Sequence, residues 1–175
     1  DLARRGIAVT LLERAAAVGG KMRLMEAGGR AMDAGPTVFT MRWVFEALFA
    51  DAGADFGARL ALRRADVLAR HAWPETSPGG AGVLDLHADL EASEAAIRAF
   101  AGPADAAGFR AFAARAADMH ATLARPFMAS QRPSPAQLML RVGSLRALWR
   151  TSPYATLWGA LGSHFRDPRL RQLFG

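Results

Sequence analysis

The chain has 175 residues, 51% of them hydrophobic, and a formal net charge of +6 from 22 basic and 16 acidic residues. Zero cysteines exclude disulfides, thiolate metal sites and a cysteine nucleophile, and suit a reducing compartment. No apolar run reaches the roughly 18 residues needed to span a bilayer. The basic residues, all arginine except Lys21, are scattered without a recognition motif, so nucleic acid is not an expected partner.

Asp1–Arg5 reads as the tail of a helix, stopped by Gly6 in the left-handed conformation. Ile7–Leu12 is an apolar, β-branched run suited to a parallel strand buried on both faces. Glu13 stands at the C-terminal end of that strand, where a carboxylate can accept both ribose hydroxyls of an adenosine. The Gly-rich phosphate turn lies about 20 residues before such an acid and would fall ahead of Asp1. The stretch therefore reads as the second half of a dinucleotide-binding βαβ unit, and the chain as a fragment. Gly19-Gly20-Lys21 follows a short loop, and paired glycines let backbone amides approach a pyrophosphate closely.

Met22–Arg30 reads as a strand turning through Gly28-Gly29 into Ala31–Asp33, before a break at Gly35-Pro36-Thr37. Met41–Ala52 has helical apolar spacing and ends at Gly53. Arg59–Arg64, Asp66–Trp73 and Val83–His87 read as three strands of an antiparallel sheet, with a Pro/Gly/Ser loop over Pro74–Gly82. Asp89 caps a helix to Ala101, Gly102-Pro103 stops it, and a longer helix covers Asp105–Leu123. Ser134-Pro135-Ala136-Gln137 fits a capping box opening a helix with Leu138, Val142, Leu145 and Trp149 on one face. Ser152-Pro153 and Asp167-Pro168 start two more helices, the first carrying Leu157, Trp158, Leu161 and Phe165.

His71, His87, His120 and His164 lack metal-ligand spacing and are read as structural or surface residues, so no metal is expected. Ser130, Ser134 and Ser152 read as loop and cap residues, and no Gly-x-Ser-x-Gly elbow exists.

The run ERAAAVGGKMR followed by RAMDAGPTVFTM, and FRDPRLRQLFG at Phe165–Gly175, resemble the flavoprotein superfamily of amine oxidases and carotenoid desaturases. Within it the chain is most similar to the bacterial phytoene-desaturase-type family, and the text around WPETSPGGAGVLDLHADLEAS to hydroxycarotenoid 3,4-desaturases of purple photosynthetic bacteria. The family usually has arginine at the position of Lys21, and lysine keeps the charge without the planar fork.

The resemblance implies an α/β fold, α+β overall. Residues 1–58 would be a partial Rossmann-like FAD-binding region lacking its Gly-x-Gly-x-x-Gly turn, and 59–175 a partial substrate- and membrane-facing region of sheet and helices. It implies FAD as cofactor, with Glu13 on the adenosine ribose. Arg14, Gly19, Gly20 and Lys21 would lie along the adenine, pyrophosphate and flavin side, and Gly35, Pro36 and Thr37 near the isoalloxazine. It names no catalytic acid or base in this stretch. The implied activity is desaturation of a long carotenoid, hydroxylated or methoxylated at its end, by a cytoplasmic enzyme associated peripherally with the membrane. Phytoene desaturase, another flavoenzyme of the superfamily, and a non-catalytic isoprenoid-binding relative are the alternatives.

Overall fold

The computed structural model describes residues 2–36, 39–128, 130, 134–151 and 155–175. The expected site residue Thr37 and the expected helix start Ser152-Pro153 lie outside them. The chain divides into two compact units, Asp1–Arg64 and Ala65–Gly175.

In the first unit, a 3-10 turn over Ala3–Arg5 ends at Gly6, whose φ of 77° lets its N–H reach the Ala3 carbonyl. Residues 7–12 do not form the expected buried strand: they run exposed, with Leu12 at 90%. A parallel strand is held by neighbours on both edges and helices on both faces. Among the described residues of this unit, strand pairing is confined to the hairpin that follows. That hairpin joins β1 (Leu24–Ala27) to β2 (Arg30–Asp33), with Leu24 opposite Asp33 and Ala27 opposite Arg30. Gly28 and Gly29 turn it at φ values of 59° and 73°, both positive as a type I′ turn requires.

Next come α1 (Arg42–Asp51) and α2 (Phe56–Arg59), the latter capped by the Asp55 side chain accepting from Gly57 N–H. Phe56 is buried beneath the rings of Phe39, Phe45 and Phe49, whose centroids lie 6.1, 6.4 and 5.2 Å from its own. The expected strand Arg59–Arg64 is absent. Arg59 closes the helix that buries Phe56, and residues 60–65 follow as irregular chain.

The second unit opens with an antiparallel pair, β3 (Val67–Trp73) and β4 (Gly82–His87), with Val67 opposite His87 and Trp73 opposite Gly82. Asp89 accepts from Ala92 N–H to start α3 (Leu90–Ala101), and Pro103 takes the first position of α4 (Pro103–Leu123), two residues earlier than expected. A π-helical turn, Ala124–Met128, leads away from α4. The single helix expected through Leu138 and Trp149 is instead two, α5 (Pro135–Val142) and α6 (Leu145–Arg150). Gly143, at φ 68°, ends the first by donating to the Met139 carbonyl, and Ser144 caps the second by accepting from Ala147 N–H. Then α7 (Leu157–His164), capped by Thr156, and α8 (Pro168–Phe174), capped by Asp167, complete the chain. The described residues thus combine helices with two small antiparallel sheets.

The core of this unit gathers Trp73, Leu84, Ile97, Phe109, Leu161, Phe165 and Leu170. Phe165 stacks on Phe174 at 5.2 Å and meets Phe112 edge-on at 5.7 Å. Buried Asp105 on α4 accepts from the backbone N–H groups of Arg166 and Asp167, at 2.6 and 3.4 Å, tying the turn between α7 and α8 to the start of α4. Three residues on, α4 presents Gly108 to the last turn of α7, so closely that a Cβ there would lie 1.9 Å from the His164 carbonyl oxygen.

Gly108→Ala must therefore push α4 and α7 apart, and should lower stability by about 1–3 kcal/mol as overpacking does. Gly162→Ala, on α7 with open space around its Cβ position, should instead raise stability by about 0.5–1 kcal/mol. Urea midpoints of the two variants are expected to move in opposite directions.

Candidate functional site

The expected site residues fall into two groups in the first unit. Glu13 and Arg14 lie on the exposed segment after residues 7–12, and the Glu13 carboxylate accepts from Ala15 N–H at 2.8 Å. Gly19, Gly20, Lys21, Gly35 and Pro36 form the second group, which the β1–β2 hairpin brings together from two stretches of chain.

Gly19 and Met22 close a turn, with Met22 N–H donating to the Gly19 carbonyl at 3.0 Å. Gly20 occupies the first central position at φ 58°, and a Cβ on Gly19, at φ 123°, would meet the Met22 carbonyl oxygen at 2.8 Å. Both positions need glycine, one for its backbone angle and one for angle and space together. At the other end of the hairpin, Ala34 N–H extends the ladder by donating to the Arg23 carbonyl at 2.9 Å. That bond lays Gly35 flat against the Lys21 backbone, where a Cβ would stand 2.0 Å from the Lys21 carbonyl oxygen. The sequence supplies this contact by putting a glycine on each side of one hairpin.

The result is a recess of about 490 Å³ lined by Gly20, Lys21, Arg23, Ala34, Gly35 and Pro36. Its polar character is cationic, from Lys21 and Arg23, with a glycine turn forming one wall. Arg23 was not among the expected residues. Its signal was the Lys-x-Arg spacing, which puts both side chains on one side of an extended chain. On the far side of Pro36, an apolar recess of about 380 Å³ is lined by Met22, Phe39, Met41, Val44 and Phe45. Met41 there holds a left-handed φ of 54°, unusual for a residue with a long side chain, at the entrance to α1.

A glycine-walled cationic recess can take an anionic group, and the apolar recess an apolar one. The recess lining includes neither Glu13 nor Arg14. Among the described residues no group of three or more His, Asp or Glu side chains could hold a metal ion. His71 stacks over Trp73 at 6.0 Å, and Ser134 and Gln137 form a reciprocal capping box, as expected for a cap residue.

Residues 1–169 match the model of the family described as flavin containing amine oxidoreductase. The chain is 46% identical over 175 residues to a hydroxyneurosporene desaturase of Rubrivivax gelatinosus, covering 99% of this chain and 33% of the relative. It is 42% identical over 177 residues to a hydroxyneurosporene desaturase of Cereibacter sphaeroides, covering 99% of this chain and 34% of that protein. A phytoene dehydrogenase of Streptomyces griseus is 34% identical over 169 residues, covering 97% of this chain and 32% of its own length. The chain thus spans about a third of the length of these curated relatives. No solved structure gives a significant match. With the family model covering all but its last few residues, the chain belongs to the flavin containing amine oxidoreductase family.

Proposed function

We propose that the whole protein is an FAD-dependent carotenoid desaturase that introduces a double bond next to the hydroxylated or methoxylated end of a long isoprenoid. The observation that carries this reading is the 46% identity to a hydroxyneurosporene desaturase along 99% of the chain. In this proposal, residues 1–58 contribute to a Rossmann-like FAD-binding region, and 59–175 to a region that faces substrate and membrane.

FAD, when bound, supplies a two-electron acceptor for the hydride lost as a proton leaves the adjacent carbon. The residues of this chain bind and orient. Lys21 and Arg23 neutralise the diphosphate, while the Gly19-Gly20 turn and Gly35 let backbone come close to it. Glu13 would accept from the ribose hydroxyls, Arg14 would lie along the adenine, pyrophosphate and flavin side, and Thr37 near the isoalloxazine. Pro36 and the apolar recess beyond it pack near the ring system and keep water away. A hydrocarbon offers few polar handles, so positioning rests on apolar walls, and no catalytic acid or base is assigned to this stretch.

Replacing Glu13 with alanine removes a charged acceptor, worth about 1.5–3 kcal/mol, so the full-length variant should purify largely free of flavin. Gly35→Ala, which forces the Lys21 carbonyl aside, should lower flavin occupancy as well. The visible spectrum of the purified protein and the flavin released on denaturation measure both. Full occupancy in Glu13→Ala would remove Glu13 from the site, and a full-length protein without flavin would overturn the reading itself.

The substrate dissolves only in lipid, and we propose that α5 to α7 meet the bilayer surface. No helix among the described residues is long and apolar enough to cross a membrane. Leu140, Trp149 and Trp158 are 82%, 71% and 61% exposed, and exposed Arg141, Arg146 and Arg150 accompany them. Arg150 is paired with Asp118 at 2.8 Å, which offsets part of its charge. Each arginine near an anionic surface contributes about 1 kcal/mol. The triple Arg→Gln variant of the full-length protein should therefore cosediment less with anionic liposomes at low salt. Unchanged binding would place the membrane contact elsewhere.

A further inference from the structure

At the entrance to α1, Met41 holds a left-handed φ of 54°, the one positive φ on a residue other than glycine among those described. At that angle an L side chain crowds its own backbone, whereas glycine takes it without steric cost. The start of the helix does not account for methionine, because its side chain makes no capping hydrogen bond. Packing on either side imposes the angle. Phe39 before it and Phe45 after it come back to lie 4.8 Å apart, and both rings approach Phe56, at 6.1 and 6.4 Å. The chain must reverse between them, and Val44 N–H closes the turn on the Met41 carbonyl at 2.9 Å. A long side chain kept at a strained position where glycine would fit is the signature of a functional constraint. That side chain lines the apolar recess of about 380 Å³ in the first unit.

We propose that this recess seats a stretch of the substrate's polyene chain, and that Met41 is a substrate-contacting residue whose strained backbone holds its side chain against that chain. The proposal rests on the desaturase reading above and names where the hydrocarbon lies in the first unit. The lining is that of a hydrocarbon site. Met22, Phe39, Val44 and Phe45 surround Met41, and Thr40 is the one polar side chain among the described residues that line it. A flavin ring carries carbonyls and ring nitrogens whose burial needs hydrogen-bond partners, while a polyene carries no such groups. Methionine, unbranched and polarisable, moulds to an apolar ligand. Position agrees with chemistry: Pro36 lines both this recess and the cationic one, so a polyene here lies next to the site proposed for the cofactor.

The test is binding of hydroxyneurosporene to full-length flavin-loaded protein, followed by tryptophan quenching in detergent, with Met41→Ala, Met41→Gly and Met41→Leu beside the wild type. Alanine and glycine remove the arm and should weaken the polyene roughly tenfold, the loss of about two buried methylene groups. Leucine keeps the volume and should bind within about twofold of the wild type. Flavin occupancy, read from the visible spectrum, should be the same in all four proteins. Stability should separate the two truncations: glycine relieves the backbone angle and alanine does not, so Met41→Gly should show the higher urea midpoint. Polyene binding untouched by both truncations overturns the proposal and would mean that the protein's own chain covers the recess. Flavin lost together with the polyene also overturns it, by giving the recess to the flavin ring. A glycine variant no more stable than the alanine variant overturns the strain on which it stands. Should Met41→Ala fail to fold, Met41→Gly and Met41→Leu decide. Turnover, measured alongside, separates the two readings: Met41-dependent binding without desaturation overturns the desaturase reading alone, and desaturation with binding indifferent to Met41 overturns only the role of Met41.

Discussion

Backbone against backbone, Gly108 on α4 meets the His164 carbonyl on α7, and the second unit is organised around that contact. It brings the two helices closer than any side chain at Gly108 would allow. Close approach in turn lets Phe109, Leu161 and Phe165 bury together, and lets Phe112 reach the rings of His164, Phe165 and Phe174. Asp105, one turn earlier on α4, holds the α7–α8 corner by its backbone N–H groups, so the same helix sets both the spacing and the direction of what packs on it. A recess beside His164 is the space left where α4 runs past this contact toward Met119.

The corner itself is reinforced from the other side. Asp167 caps α8 through Arg169 N–H and also binds the Arg169 guanidinium, which lies over the Phe100 ring at 4.0 Å and donates to the Ala81 carbonyl. Hydrogen bonding from Arg169 outweighs burial and holds the Asp167 carboxyl below the usual carboxylate range. A carboxylate with a depressed value stabilises the fold above its unfolded pKa and loses that contribution as pH falls through its folded value. This corner is therefore expected to weaken in acid, and it lies in the segment whose text, FRDPRLRQLFG, resembles a family motif. The motif has a structural explanation here: an aspartate cap, a proline at the first helical position and an arginine that joins the helix to the β-hairpin loop.

In the first unit the corresponding constraint is Gly35 against Lys21. It converts two short glycine motifs, separated by a hairpin, into one cationic recess. Both glycine motifs were legible because glycine is the residue that positive φ and close approach demand. Their convergence was not, since it depends on the register that pairs Leu24 with Asp33. Residues 7–12 show the opposite case. Their composition suits a buried parallel strand, yet composition cannot supply neighbours, and within the described residues no strand pairs with them. The strand expected over Arg59–Arg64 gives way for a related reason: Arg59 is taken into a short helix whose one buried residue is Phe56, and residues 60–65 run on as irregular chain.

Local chemistry was readable wherever a side chain acts on its own backbone. The caps at Asp89, Ser134 and Asp167, the Gly28-Gly29 turn and the Gly6 and Gly53 stops depend on residues within a few positions of one another, so the sequence alone determined them. The Gly143-Ser144 break carried the same kind of signal, a left-handed stop followed by a cap, but the apolar spacing from Leu138 to Trp149 masked it. What only tertiary structure decided was which distant groups meet: Lys21 and Arg23 with Gly35 around one recess, and Gly108 with the His164 carbonyl between α4 and α7. Such meetings depend on the distance between backbones many residues apart, and that distance is set by packing, to which the spacing of residues along one element gives no access.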